Sequence, residues 1–593
     1  MRIMDDVKGL GQRANLSIAC RLLTDRGGFE SRPQNSSPAS GNRQSANGVR
    51  QAVRRPIALA ILLGCCALLA QSRAIGQSAQ PTGAAGAALS ERVQRIISRP
   101  EFRHALFGIE FYSLDAHQVI YQLNGDKLFT PASTTKLLTM GTALELLGAD
   151  YRYHTRVYGT GAVESGTLKG DLVLVASGDP NLSGRIQPDG TLAFENEDHA
   201  YGGSPDTRAV TGDPLLVIRE LARQVFSHGV RRIEGRVLVD VSLFPEGEAE
   251  LGTGAVISPI VVNDNVVDVT ASPAGTVGDP VRLQISPATA YVKFTNDART
   301  GAADSKPGIN WTNDVTNPDG SHSVTITGNM PAGRPSILFS YMVPQPSRFA
   351  EVAFAQALGE VGIRVTANPG ASTAAKPDFK TLATDYTPQH QLAEHVSPPL
   401  AEEVKVTLKV SQNLHASIMP YFLGAVVAHA QSDAAQAGFS LEHDFLEKAG
   451  LDLSGASQGD GAGGAPAGCY TPDFMVHYLE YMAGQRDFPV LFRALPILGR
   501  DGTLWNIQVH SRAAENVRAK TGTLAEYNSL DRNLMVTAKG LAGYITNTAG
   551  KRWAFAAYVN HVAVTDEQAI TEIVGQVLGE IAAAGYATLE GQQ

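Results

Sequence analysis

The sequence predicts a protein of mixed helix and strand in which a large β-rich block interrupts a more helical part. Three observations predict this. The chain has 593 residues, too many for one hydrophobic core. Apolar residues recur at helical spacing after Lys136, over 215–228, 349–361 and 400–430, and from 566 to 584. From about 271 to 340 the sequence holds only short runs broken by Pro, Gly, Asn and Asp, the texture of a small all-β module.

Composition narrows the function. Hydrophobic residues make up 43% and charged residues 18%, as in a folded globular chain. The net charge of −9 gives no footprint for nucleic acid. The 14 histidines are scattered, the four cysteines lack metal-ligand spacing, and no His-Glu-x-x-His occurs, so no metal and no cofactor is expected.

Residues 1–74 read as a basic extension and a signal peptide. Arg54-Arg55 precedes the apolar run 56–70, and small and polar residues follow, the layout of an export signal. The run is short for a membrane span. Leu62-Leu63-Gly64-Cys65 resembles a lipoprotein box but lies inside the apolar run. Losing residues 1–70 would remove ten basic and four acidic residues, taking the net charge from −9 to −15, and would leave Cys469 as the one cysteine. No internal disulfide is then expected, nor any membrane span after cleavage, which fits a periplasmic protein.

The rest follows in order. Residues 75–87 read as a linker and 90–98 as a short helix. Residues 106–113 and 119–122 alternate like a hairpin. The helix after Lys136 stops at Gly148. Strands are expected over 151–159 and 171–176. A helix at 215–228, Gly229 and a strand at 236–241 form a unit that recurs as 349–361, Gly362 and 363–365, so both are read as parts of one insert. The Gly/Ala-rich loop 455–468 lacks the Lys-Ser/Thr of a phosphate loop. Strands at 541–545 and 553–559 precede a last helix from 566, with Thr565-x-x-Gln568 as a capping box.

Three short clusters carry candidate chemistry. Ser133-x-x-Lys136 places a hydroxyl and an amine one turn apart on one helix face. A buried lysine loses part of its charge and can then take the serine proton, making a nucleophile. The helix N-terminus favours an oxyanion. Ser411-Gln412-Asn413 opens a helical stretch, and Lys520-Thr521-Gly522-Thr523 precedes a strand. Singly, each also reads as something plain: a capped core helix with an exposed lysine, a helix cap, a turn.

In this order, the three resemble the signature of penicillin-binding proteins and serine β-lactamases. The resemblance is closer to the D-alanyl-D-alanine carboxypeptidase/endopeptidase family, the class C low-molecular-mass penicillin-binding proteins. It rests on Phe129-Thr-Pro-Ala-Ser-Thr-Thr-Lys-Leu-Leu-Thr139, Leu147-Gly-Ala-Asp-Tyr-Arg-Tyr-His-Thr-Arg-Val-Tyr-Gly159, Val262-Asn-Asp-Asn-Val-Val-Asp-Val269, Ser397-Pro-Pro-Leu400, Leu495-Pro-Ile-Leu-Gly-Arg-Asp-Gly-Thr-Leu504 and Lys520-Thr-Gly-Thr-Leu524 with Leu541-Ala-Gly-Tyr544. The stretch 166–182 matches as well. The 278 positions between Ser133 and Ser411 leave room for the large insert of that family.

The resemblance implies an α+β fold: a serine transpeptidase/β-lactamase-like domain, with an antiparallel sheet flanked by helices, split by a large β-rich insert. The parts are 88–160 and 385–590, with the insert at 161–384 and its nested β module at about 271–340. It implies a serine-type D-Ala-D-Ala carboxypeptidase, possibly also an endopeptidase, acting on peptidoglycan peptides ending in D-Ala-D-Ala and inhibited by β-lactams. Ser133 would attack and Lys136 take its proton. Ser411 would relay a proton, Asn413 hold Lys136 or the substrate, and Lys520 supply positive charge. Thr521 would bind the terminal carboxylate, Gly522 would let the substrate backbone lie close, and the N–H groups of Ser133 and Thr523 would hold the oxyanion.

Three departures stand out. Gln412 and Ser417 replace carboxylates that the family pattern carries. Asp460-Gly-Ala-Gly-Gly-Ala-Pro466 replaces a Ser- and Arg-containing loop. The stretch 526–539 is longer than usual. A β-lactamase is one alternative, against which stand the insert and the lack of a Glu-x-x-Leu-Asn deacylation element. A catalytically weakened wall-binding protein is another.

Overall fold

The computed structural model describes residues 79–366, 377–430 and 432–591. The expected export signal, with Arg54, Arg55 and Cys65, lies outside them, as does the start of the expected linker.

The main sheet has seven strands, all antiparallel. Its order is Ala79–Pro81, Gln118–Leu123, Leu106–Ser113, Arg552–Asn560, Asn533–Thr546 and Val517–Asn528, with Val562–Val564 also pairing with Asn533–Thr546. Side chains of a strand alternate between faces, and here both faces are buried. Trp553, Phe555, Ala557 and Val559 pack on one side with the helices Gly83–Ile97 and Gln576–Glu590. Ala554, Ala556 and Tyr558 pack on the other, against Lys136–Leu147, Asn413–Val426 and Pro472–Ala483. The central strands therefore read as almost unbroken apolar runs, and helices cover both faces, as the α+β expectation requires.

Two expectations at the ends of this domain need correction. The linker expected over 75–87 contains the strand Ala79–Pro81 and the first turn of a 15-residue helix, Gly83–Ile97. Alanine is the best helix former, so the Ala-rich composition that suggests a linker also suits a helix once Leu89, Val93 and Ile96 have a sheet to cover. In the last helical stretch the cap is Asp566, whose carboxylate accepts from Ala569 N at 3.0 Å. The box expected from Thr565 is thus displaced by one residue, and the segment Ile570–Gly575 is a π-helix.

The two helix–Gly–strand units do form one body. Helices Leu216–Ser227 and Pro346–Glu360 share a core through Leu221, Val225, Phe349 and Phe354. The strands just after their glycines, Arg232–Ile233 and Arg364–Val365, pair in parallel. The all-β part has its own small core around Val269, Ile326, Met330 and Ile337, and its first strand, Val266–Ser272, begins before the expected 271. The expected boundaries at 160/161 and 384/385 cut through one four-stranded sheet. Strands His154–Gly159 and Gln391–Val396, outside those limits, pair with each other, and Leu172–Val175 and Val237–Asp240 continue the sheet. Chain entry and exit are paired strands rather than linkers, which leaves no composition break at 160 or 385.

Candidate active site

The chain reaches Ser133 through a tight turn. Ala132 has φ +46°, in the left-handed region that costs a non-glycine residue about 1–3 kcal/mol. A 3-10 turn over Ala132–Thr135 follows, and the α-helix begins at Lys136. Ser133 and Lys136 are thus one turn apart at a helix N-terminus, as their spacing predicts, and Lys136 Nζ lies 2.7 Å from Ser133 Oγ. Lys136 also donates to Asn413 Oδ1 at 2.6 Å and to the Ala462 carbonyl at 3.1 Å. Burial pushes its amine down to about 7, against the pull of the Glu250 and Asp460 carboxylates. About half the amines are then neutral at pH 7, against on the order of one in a few thousand for a free lysine.

Ser411 and Asn413 come from a break in the expected helical stretch 400–430. Helix Leu400–Lys409 ends, Ser411 takes φ +63°, and Asn413–Val426 begins. The break aims Ser411 at Lys520 and Asn413 at Lys136. Gln412, where the family pattern has a carboxylate, accepts from Leu414 N at 3.0 Å. An amide oxygen thus supplies a helix cap that a carboxylate could also make.

Lys520 and Thr521 lie on the edge strand Val517–Asn528. Lys520 Nζ donates to Ser411 Oγ at 2.8 Å. Burial holds this amine well below its ordinary value, and the nearby charges of Lys136 and Lys539 lower it further. Thr521 Oγ1 donates to Thr503 Oγ1 at 2.7 Å. Gly522 has to be glycine: a Cβ there would meet the Pro131 carbonyl at 2.4 Å and Ser133 N at 3.1 Å. That proximity brings the strand against the start of the serine turn. The lower part of the edge is covered, with Leu498 N donating to Val517 O and Ala519 N to Pro496 O. Such a rim leaves the strand beyond Lys520 for an extended peptide to pair with.

All eight candidate residues therefore converge. Ser133, Ser411, Asn413, Thr521 and Thr523 line one cavity of about 300 Å³; Lys136 and Lys520 hydrogen-bond to residues of that lining, and Gly522 lies against Ser133. Several neighbours carry no motif. The loop expected at 455–468 supplies the Ala462 carbonyl to Lys136, and Asp460 folds it by accepting from Gly463 N and Gly464 N at 2.7 and 2.8 Å. Thr503 sits in the 495–504 stretch, whose likeness to the family gave it no role. Its turn is held by Lys409, which donates to Asp501 at 2.7 Å. The insert reaches the cavity with Asn196, Glu197, Asp198 and Tyr201. Tyr201 Oη donates to the Ser411 carbonyl, and Asn196 accepts from Gly502 N at 2.8 Å. Lys539 lines the same cavity. One buried trio, Asp198, His199 and Asp264, has ligand atoms close enough for a metal, but Arg185 donates to both carboxylates and supplies the positive charge there.

Comparisons with known proteins find relatives in sequence and in structure. The sequence model of the D-Ala-D-Ala carboxypeptidase 3 (S13) family matches residues 89–579. A D-alanyl-D-alanine carboxypeptidase of Actinomadura sp. (strain R39) is 27% identical over 515 residues, covering 83% of this chain and 85% of the relative. D-alanyl-D-alanine carboxypeptidase DacB of Haemophilus influenzae is 24% identical over 474 residues, covering 78% and 86%. The crystal structure of penicillin binding protein 4 of Haemophilus influenzae, complexed with a β-lactam, superposes with a TM-score of 0.61 at 21% identity, over 85% of this chain and 99% of that one.

Proposed function

The chain belongs to the D-Ala-D-Ala carboxypeptidase 3 (S13) family, and from that premise we propose that it hydrolyses peptidoglycan stem peptides ending in D-Ala-D-Ala through an acyl-enzyme on Ser133. The observation that carries this is the close approach of Ser133, Lys136 and Asn413, with an amine lowered to about 7 beside the hydroxyl. Neutral Lys136 takes the Ser133 proton as Oγ attacks the carbonyl of the penultimate D-Ala. The N–H groups of Ser133 and Thr523 receive the oxyanion. Ser411, hydrogen-bonded to Lys520, passes its proton to the leaving amine as the C–N bond breaks; D-Ala departs, and the proton that Lys136 took from Ser133 restores the Ser411 hydroxyl, leaving Lys136 neutral again. Water then attacks the ester, gives its proton back through Lys136, and releases the shortened peptide and free Ser133. β-Lactams, whose strained amide mimics the peptide bond, would acylate Ser133 and stay.

Cross-linked peptides whose amide follows a D-Ala offer the same bond, so endopeptidase action is part of the proposal. An enzyme of peptidoglycan has to leave the cytoplasm, which the basic and apolar pattern of residues 54–70 would serve. No described helix is long and apolar enough to cross a membrane.

The test is product analysis. Protein incubated with purified muropeptides is expected to release D-Ala, detected by mass, and Ser133→Ala is expected neither to do so nor to form a penicillin adduct. Turnover of penicillin with no action on peptide would favour the β-lactamase alternative, and an adduct on Ser133→Ala would displace the proposed nucleophile.

A further inference from the structure

The pairing that forms the edge of the sheet brings one more lysine into the site. Thr523 and Lys539 are register partners on adjacent strands. Lys539 Nζ donates to Thr523 Oγ1 at 2.8 Å and lines the same cavity as Ser133, Ser411 and Thr521. It is buried, and a buried ammonium is costly unless a counter-charge and acceptors receive it. Thr523 is its one hydrogen-bond partner among the described residues. No carboxylate there lies within salt-bridge distance, and burial alone pushes its amine down to about 8. At neutral pH it is still mostly charged, and two of the three ammonium protons have no acceptor among the described residues. The surroundings leave room beside it. A Cβ on Gly575 would come within 3.8 Å of Lys539 Cε. Gly575 ends the π-helical segment Ile570–Gly575, and it and Thr571 line the cavity. Such π-segments recur at functional sites.

We infer that Lys539 is a substrate-binding residue that receives a carboxylate of the peptide, acting beside the hydroxyls of Thr521 and Thr523. This rests on the proposed function and adds a specificity determinant to it. Lys539 ends the stretch 526–539, whose extra length departs from the family pattern. In the structure that stretch extends the edge strand and its neighbour, so that Glu526 faces Met535 and Asn528 faces Asn533, with a register shift after Leu524. Irregularities of this kind re-aim side chains near active sites. Two carboxylates could fill the place: the terminal one on the leaving residue, or a side-chain one on the acyl side. The chemistry is common to both.

The experiment compares wild type, Lys539→Met and Lys539→Arg on three peptides: one ending in D-Ala-D-Ala with an acidic side chain on the acyl side, its C-terminal amide, and its side-chain amide. In wild type, neutralising the recognised carboxylate lowers kcat/KM. In Lys539→Met that discrimination is expected to shrink about 10- to 100-fold, as for loss of a charged hydrogen bond, and Lys539→Arg is expected to restore most of it. The amide that responds identifies the carboxylate. Lys539→Met is expected to melt no lower than wild type, because it removes a buried, uncompensated charge. Undiminished discrimination against both amides in Lys539→Met overturns the inference. So does a lower Tm with equal losses on all three peptides, which assigns Lys539 to the fold. If wild type cleaves no peptide, the proposed function fails instead. Acylation by penicillin against its carboxyl methyl ester then reads Lys539 separately, with the same collapse expected.

Discussion

Asp264 of the insert accepts a hydrogen bond from His415 Nε2 at 2.9 Å, two residues from Asn413 on the helix that opens into the active site. The contact is the centre of a buried charged network. Arg185 and His199 also donate to Asp264, His199 donates to Asp268 at 2.9 Å, and His415 Nδ1 lies 3.1 Å from Glu403. Glu403 in turn accepts from Thr407 and from Asn181. Asp264 pays for its position with φ +54°, as Asn263 and Asn265 do with φ near it. The insert is therefore tied by charge to the helix that carries Asn413, and a defect in the tie should be felt at Asn413.

His415→Ala tests this. It leaves two buried carboxylates short of a counter-charge, and breaking such a network by removing one partner costs about 3–5 kcal/mol. The expected result is a clear fall in Tm and slower penicillin acylation of the molecules that stay folded. A variant within about 1 kcal/mol of wild type, acylated at the normal rate, would show that the network does not position Asn413.

The same network predicts a pH dependence of stability. Burial disfavours the charged imidazole, but the Glu403 and Asp264 carboxylates outweigh it and push His415 up to about 9. A histidine raised above its unfolded value of about 6.5 contributes stability that is complete below that value and is lost as pH rises through the folded one. Tm is therefore expected to decline between about pH 6.5 and 9, and less so in His415→Gln. His199, also held well above its ordinary value despite burial, acts with the same sign. Parallel Tm profiles for wild type and variant would remove His415 from this role.

The candidate site was largely legible in the sequence because its chemistry sits in short, local patterns. Ser133 and Lys136 need only one helical turn between them, and Lys520, Thr521 and Gly522 need only an extended strand. Single strands of the main sheet were legible too, since runs such as Arg552–Asn560 are apolar on both faces. What was not legible depends on distant pairing. Lys539 enters the site only because its strand is in register with Thr523. Ala462 matters through a carbonyl, which every residue has. Tyr201, Asp264 and His415 meet across 151 or more positions of sequence or act on backbone groups, and no periodicity encodes such a meeting.

Gly252, in the insert, gives a sharper test of how the site is packed. A Cβ there would fall 1.9 Å from Asn413 Nδ2 and 3.1 Å from Glu250 Oε2. Gly252→Ala is therefore expected to drive the Asn413 amide off its contact with Lys136, while the fold, which loses no core group, keeps most of its stability. Acylation should fall at least about tenfold, the effect of displacing a catalytic group by about 1 Å being of order a hundredfold. Normal acylation with a normal Tm would mean that the insert does not set the position of Asn413.

Lys136 is predicted to act as the base. Its amine must be neutral to accept the Ser133 proton, and burial places it at about 7. Below that pH the neutral fraction falls tenfold per unit, so kcat/KM for acylation is expected to rise with unit slope up to about pH 7 and then level off. At the free-lysine value of about 10.4 the rise would continue through pH 9, which separates the two cases. Lys136→Arg keeps the charge and can still reach Ser133 and Asn413, but a guanidinium does not give up its proton. Its acylation rate is expected to drop by about 10²–10⁴, the usual worth of a positioned general base, measured on the molecules that stay folded. A variant that acylates at near the wild-type rate, or a wild-type profile still climbing at pH 9, would require a different group to take the serine proton.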